Sequence, residues 1–192
     1  MTKVTDDGIV VWTRPSMTTH EYLYDTEETN RRRELARGIL REPPAPFWSH
    51  QQLVLHIARR LLDHVEANDL GLVGVAPVDV ILDEAKALIL QPDVLFVAKE
   101  RREIVRDQVW GAPDLVVEVL SAGMVRRDRT EKLGWYRQYG VRECWLVDLG
   151  RQQVTIVDFS GGLVEERIAR GPQPLRSSVL PEFILSAYAL WM

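Results

Sequence analysis

Glu118 stands in the run Leu115-Val116-Val117-Glu118-Val119-Leu120, which is apolar on both faces, as a central strand should be. An ionised carboxylate there is expensive to bury unless it is paired or binds a cation. Two readings follow: a structural ion pair with one of the chain's many arginines, or a metal ligand. A second carboxylate bears on the choice. Pro92-Asp93 opens Val94-Leu95-Phe96-Val97, a strand expected to neighbour that of Glu118, and adjacent strands lie only about 4.8 Å apart. Asp93 and Glu118 could then share one hard divalent cation. Mg²⁺, with Mn²⁺ as its substitute, takes oxygen ligands and typically uses one or two protein carboxylates, the rest being water and substrate phosphate.

Other residues compete for roles. Asp114 also follows a proline, but four residues along a strand separate it from Glu118 by roughly 13 Å, so it reads as a turn residue or an indirect support. Asp79, in Val78-Asp79-Val80, reads as solvent-facing. His50 opens a long helix and could approach the site from the side as a proton carrier or a hydrogen-bonding group near its own helix N-terminus, or be an ordinary histidine of the capping turn. His20, His56 and His64 show no metal-ligand spacing with any cysteine, which disfavours zinc. Between Met124 and Arg142 lie six basic and two acidic residues. Arg126, Arg127 and Arg129 could meet phosphates or merely solubilise a loop, and Arg31-Arg32-Arg33 leaves the same choice open. On spacing alone Lys132 is a solvated residue of a helix face. Ser121 lacks a Gly-x-Ser-x-Gly elbow, and the Walker and Rossmann glycine patterns are absent.

The elements that must position these residues can be read from periodicity. Residues 1–17 read as an extended arm interrupted by Pro15, and residues 18–192 as a single domain. Thr18-Thr19-His20-Glu21 has the form of a capping box before a short helix. A strand carrying Glu34, Leu35, Ile39 and Leu40 is stopped by Pro43-Pro44-Ala45-Pro46. Leu53, Ile57, Leu61, Leu62 and Val65 recur at helical spacing, with Ser49 as N-cap and Gly71 as the stop. The runs 72–82 and 88–98 predict an antiparallel strand pair across Asp83-Glu84-Ala85-Lys86. A polar link, 99–110, leads to the strand 115–120. A helix over 130–139 ending at Gly140, strands 143–148 and 153–159, and a short final helix complete the pattern.

Pro92-Asp93 followed by Glu118-Val119-Leu120 resembles the PD-(D/E)XK nuclease motif with its last position changed. More narrowly, Gln91-Pro92-Asp93-Val94, the run 113–121, Glu131-Lys132-Leu133 with Tyr136, and the run 140–148 resemble one bacterial restriction-endonuclease family within that superfamily. The likeness spans about residues 18–185. It implies an α/β, restriction-endonuclease-like fold: a central mixed β-sheet flanked by helices. It implies Asp93 and Glu118 as metal ligands. Leu120 occupies the place of the motif's lysine and cannot orient water, so the resemblance moves that role to Lys132 on the following helix. Such a lysine can position the attacking water and offset charge in the transition state. Glu34 aligns with an early acidic position of the family and could add a carboxylate.

The 192 residues include 46% hydrophobic and 27% charged ones, values that exclude wholesale disorder and fibrous repeats. The single cysteine, Cys144, excludes an internal disulfide. A net charge of −4 argues against coating nucleic acid by bulk electrostatics, while a local basic face remains allowed. No apolar run approaches a membrane span, and a cytoplasmic location is expected. The reading that results is a Mg²⁺-dependent endonuclease, its substrate DNA, acting as a homodimer because two copies are needed to cut both strands. The alternative is an inactive nuclease-fold module that binds nucleic acid or a protein partner.

Overall fold

A computed structural model describes residues 2–4, 10–12, 16–25, 31–120 and 126–191. The elements run β1 (Thr2–Val4), β2 (Val10–Trp12), a π-helical turn (Glu21–Asp25), β3 (Glu34–Ala36), β4 (Ile39–Glu42) and α1 (Trp48–Ala67). Next come β5 (Gly71–Val75), β6 (Val80–Asp83), β7 (Leu88–Leu90), β8 (Val94–Ala98), a 3-10 turn (Lys99–Ile104), β9 (Val109–Trp110) and β10 (Leu115–Leu120). The chain continues through α2 (Arg126–Tyr139), β11 (Glu143–Asp148), β12 (Gln153–Asp158), β13 (Glu165–Arg170), β14 (Pro174–Arg176) and β15 (Ile184–Ser186) to a last 3-10 turn (Ala187–Leu190).

Six strands form a central mixed sheet in the order β13-β12-β11-β10-β8-β5. Strand β10 runs parallel to β11 and antiparallel to β8, and the parallel pair requires a crossover, which α2 supplies. Alternation along β10 divides two layers. Val117 and Val119 pack with Ile57, Leu61 and Val65 of α1, the apolar stripe that the helical spacing predicts. Val116 and Leu120 join Trp135 and Tyr136 of α2 and part of a second sheet, ordered β1-β2-β4-β3-β7-β6-β9. Glu118 shares the parity of Val116 and Leu120, so its carboxylate enters this second layer.

The expected helix-and-sheet architecture is present, and several local expectations need correction. The two long runs over 72–82 and 88–98 each divide between the two sheets: β5 pairs with β8, and β6 with β7. Pro77 and Pro92 stand at the breaks, where a residue without an N–H cannot continue a ladder. Residues 34–40 form not one strand but the start of the β3–β4 hairpin, turned at Arg37 and Gly38 with φ of 51° and 81°. A Cβ at Gly38 would meet Cβ of Ser16 at 2.7 Å. Helix α1 starts one residue before Ser49, after Phe47, and ends at Ala67, so Gly71 belongs to β5. The capping box forms: Glu21 Oε2 accepts the Thr18 N–H at 2.7 Å, and Thr18 Oγ1 accepts the Glu21 N–H at 3.2 Å. Strands β13 to β15 carried no usable signal, since five of the six β13 residues are exposed and the apolar alternation is lost. Cys144 is buried, and burial pushes its thiol well above the usual range, so it acts as a packing residue.

Glu143 begins β11 fully buried and ties the C-terminal segment to the sheet. Its carboxylate accepts hydrogen bonds from Trp145 Nε1 at 2.7 Å, Ser177 Oγ at 2.7 Å, and the Ser178 N–H and Oγ, both at 2.6 Å. Glu143→Ala strands these donors, and we expect a loss of about 3 kcal/mol. Thermal unfolding should register it as a fall in Tm of about 6 to 12 °C.

Candidate active site

The β8–β10 register pairs Val94 with Val117, which sets Asp93 beside Glu118. Both carboxylates are 2% exposed. Each has one oxygen committed to the protein. Asp93 Oδ2 accepts the Val119 N–H at 2.7 Å, with His50 Nε2 at 3.5 Å. Glu118 Oε1 accepts Tyr136 OH at 2.5 Å and Lys132 Nζ at 3.3 Å. The other oxygens face Arg32: Asp93 Oδ1 accepts its Nη1 at 2.6 Å, and Glu118 Oε2 lies 3.6 Å from its Nη2. Among the described residues Glu118 Oε2 has no hydrogen-bond donor.

Lys132 and Tyr136 lie four residues apart on α2 and so project from one helix face. Lys132 is buried, and its ammonium bridges Glu118 to Glu34 Oε1 at 2.8 Å. Glu34, on β3, also accepts the Gln91 N–H at 3.1 Å. His50, in the first turn of α1, reaches the Val119 carbonyl through Nε2 at 3.2 Å. Both neighbours of that nitrogen are acceptors, so Nε2 carries the hydrogen and donates.

Burial is the largest influence on all three carboxyls, and their partners decide the outcome. Burial pushes Glu118 up, and the negative charges of Asp93 and Glu34 reinforce it against Lys132 and Arg32. For Asp93, burial also pushes upward, but Arg32, His50 and the Val119 N–H together hold the carboxyl below its usual value. Glu34 is likewise drawn down against burial by Lys132 and Arg32. Burial, then the charge of Glu118, raises the Tyr136 phenol well above its usual value, keeping it a donor.

The residues fit a hard divalent ion. One oxygen of each carboxylate faces the same guanidinium, and that of Glu118 is a buried acceptor without a donor among the described residues. Among the described residues no three His, Cys, Asp or Glu side chains form a metal-holding group. Two carboxylates suffice for an ion that keeps much of its water.

The structure thus brings Asp93, Glu118, Lys132, His50 and Glu34 together. Arg129 is partly buried, while the side chains of Arg126 and Arg127 lie outside the described residues, as does Ser121. Asp114 is more than a turn residue: fully buried, it accepts the Ala98 N–H at 2.8 Å and Arg101 Nη1 at 3.0 Å. Asp79 is not solvent-facing, since it accepts Tyr22 OH and Gln91 Nε2, each at 2.9 Å. Arg32 supplies the arginine pairing that was one of the two readings of Glu118, although sequence reasoning did not single it out among the arginines. Its only signal was that two buried carboxylates call for a cation.

A family model described as "Uma2: Putative restriction endonuclease" matches residues 19–187. Among solved structures, a protein of Anabaena variabilis described as "a putative nuclease belonging to DUF820" has a TM-score of 0.74 with 19% sequence identity. The alignment covers 91% of this chain and 97% of that one, and at such identity it speaks to fold. No curated protein matches the chain.

Proposed function

The chain belongs to the Uma2 restriction-endonuclease family, and from that premise we propose that it is a Mg²⁺-dependent nuclease hydrolysing phosphodiester bonds in DNA. One observation carries this reading: Asp93 and Glu118 each keep one oxygen turned to a shared cation position while their other oxygens are fixed by protein donors. Asp93 Oδ1 and Glu118 Oε2 would hold the ion. Once bound, it would polarise the scissile phosphate and lower the pKa of a coordinated water.

The chain's own residues then have distinct tasks. The Val119 N–H and His50 orient Asp93, and Tyr136 fixes the Glu118 rotamer, so the ligand oxygens are preorganised. Lys132, held by Glu34, sets a positive charge beside Glu118 where it can steady the attacking water and offset negative charge developing on the phosphate. His50, with its donor directed to Val119 and Asp93, acts as the hydrogen-bonding, positioning group among the roles its place in the sequence left open, and not as a proton carrier.

The basic residues Arg126, Arg127 and Arg129 contact DNA phosphates in this reading. Each phosphate contact contributes about 0.9 to the slope of log K against log salt. Replacing all three by Gln should therefore flatten the slope by about 2 to 3, as filter binding or fluorescence anisotropy would measure. An unchanged slope would return them to a solubilising role. A homodimer supplies the second centre needed to cut both strands.

Arg32 between the carboxylates also suits a second reading, a nuclease-fold module that binds without cutting. Incubation with supercoiled plasmid separates the two: nicked or linear product with Mg²⁺, suppressed by EDTA, supports the nuclease. Intact DNA, duplex and single-stranded, with both Mg²⁺ and Mn²⁺ would leave only the module.

A further inference from the structure

We infer that Arg32 is a resident counter-cation that holds the place of the divalent ion and must leave before the ion can bind. This inference rests on the proposed metal site and adds a competitor to it. The guanidinium contacts those oxygens of Asp93 and Glu118 that the rest of the protein leaves free. Its Nη2 also donates to the Gln91 carbonyl at 2.5 Å, which seats it at the start of the Pro92-Asp93 segment. A guanidinium 2.6 Å from Asp93 Oδ1 and an ion needing ligand oxygens at about 2.0 to 2.1 Å cannot both use that oxygen's inward face.

Formal charge points the same way. Without Arg32, the three carboxylates Glu34, Asp93 and Glu118 against Lys132 leave two negative charges, which one divalent ion cancels. Arg32 cancels only one, so the exchange is electrostatically favourable once the ion has shed some water. The guanidinium also has somewhere to go. A cleft of about 510 Å³ is lined by Arg32 and Asp93 together with Arg31, Glu42, Pro44 and Gln51. The Arg32 side chain is 21% exposed, whereas that of Asp93 is 3% exposed. Its Nε has no acceptor among the described residues, so rotation outward gives up the bonds to Asp93 Oδ1 and the Gln91 carbonyl and the Glu118 ion pair, which the incoming ion must offset. A purely structural arginine would do the opposite of gating: removing it would loosen the carboxylates and weaken metal binding.

The two roles predict opposite signs in a calorimetric titration with Mn²⁺ on the full chain. Arg32→Met should bind Mn²⁺ at least about tenfold more tightly than the parent, and Mn²⁺ should raise its Tm by more. Guanidinium ion at tens of millimolar should reverse the gain in Arg32→Met and leave the parent unaffected. Arg32→Lys keeps a charge without the fork and should fall between the two, which preserves the test should Arg32→Met fold poorly without metal. Unchanged or weaker Mn²⁺ binding in both variants, beside a parent that binds, would overturn the inference and leave the metal site standing. Absence of binding in the parent and in both variants would overturn the metal site itself and the inference with it. Binding in Arg32→Met alone would support the exchange in its strongest form.

Discussion

Lys132→Ala should slow phosphodiester cleavage by about 10² to 10⁴, the range for losing one positioned electrostatic or proton-handling group, while Mn²⁺ binding persists. The ammonium lies 2.8 Å from Glu34 and 3.3 Å from Glu118, and neither proposed metal-facing oxygen depends on it. The same substitution leaves buried Glu34 with Arg32 as its remaining cationic influence among the described residues, so stability should fall by about 3 to 5 kcal/mol. Thermal unfolding would show this as about 6 to 20 °C in Tm. Adding Glu34→Gln should recover much of the Tm and none of the rate, which separates folding from chemistry. Leu120 projects to the Glu118 side of β10, so Lys132→Ala combined with Leu120→Lys should regain part of the rate, limited by overpacking where a leucine filled the layer. Undiminished cleavage by Lys132→Ala would remove Lys132 from the mechanism.

Glu118→Gln and Asp93→Asn should both cut cleavage by about 10³ or more, the several kcal/mol that a bound metal supplies, yet move stability in opposite directions. Burial already disfavours the ionised form of Glu118. A neutral glutamine that still accepts from Tyr136 should therefore leave the metal-free protein as stable as the parent or more so. Asp93 is held ionised by Arg32, His50 and the Val119 N–H. Its neutralisation should lower Tm, because those donors lose a charged acceptor. Melting curves in EDTA at neutral pH, alongside the cleavage assay, check both signs. A drop of equal size in the two variants would mean that the carboxylates are structurally equivalent and the asymmetry of their environments immaterial.

The site's acidic half was legible in the sequence because its signals are local. A proline fixes the start of β8, and a lone carboxylate interrupts the apolar run of β10, so strand spacing alone predicts that Asp93 and Glu118 meet. Lys132 was legible only through the family resemblance, since nothing in the spacing of α2 separates a buried lysine from a solvated one. That an arginine could pair with Glu118 was legible; that it would be Arg32 was not. Its role arises when β3 pairs with β7 and brings Arg32, just ahead of β3, against Asp93, 61 residues away in the chain, and an Arg-Arg-Arg run reads as surface charge until that pairing is seen. The fold divides similarly. Helix α1 and strands β10, β11 and β12 carry strong periodic patterns and lie where expected. The partition of 72–98 between two sheets is a tertiary decision made at Pro77 and Pro92, and exposed β13 offers no pattern to read.

The central claim, that Asp93 and Glu118 jointly bind one divalent ion, is tested most directly by calorimetric titration of the parent, Asp93→Asn and Glu118→Gln with Mn²⁺. Binding of one ion per chain by the parent, and loss of that binding in each variant, is the predicted result. Mn²⁺ affinity unchanged in both variants would contradict it.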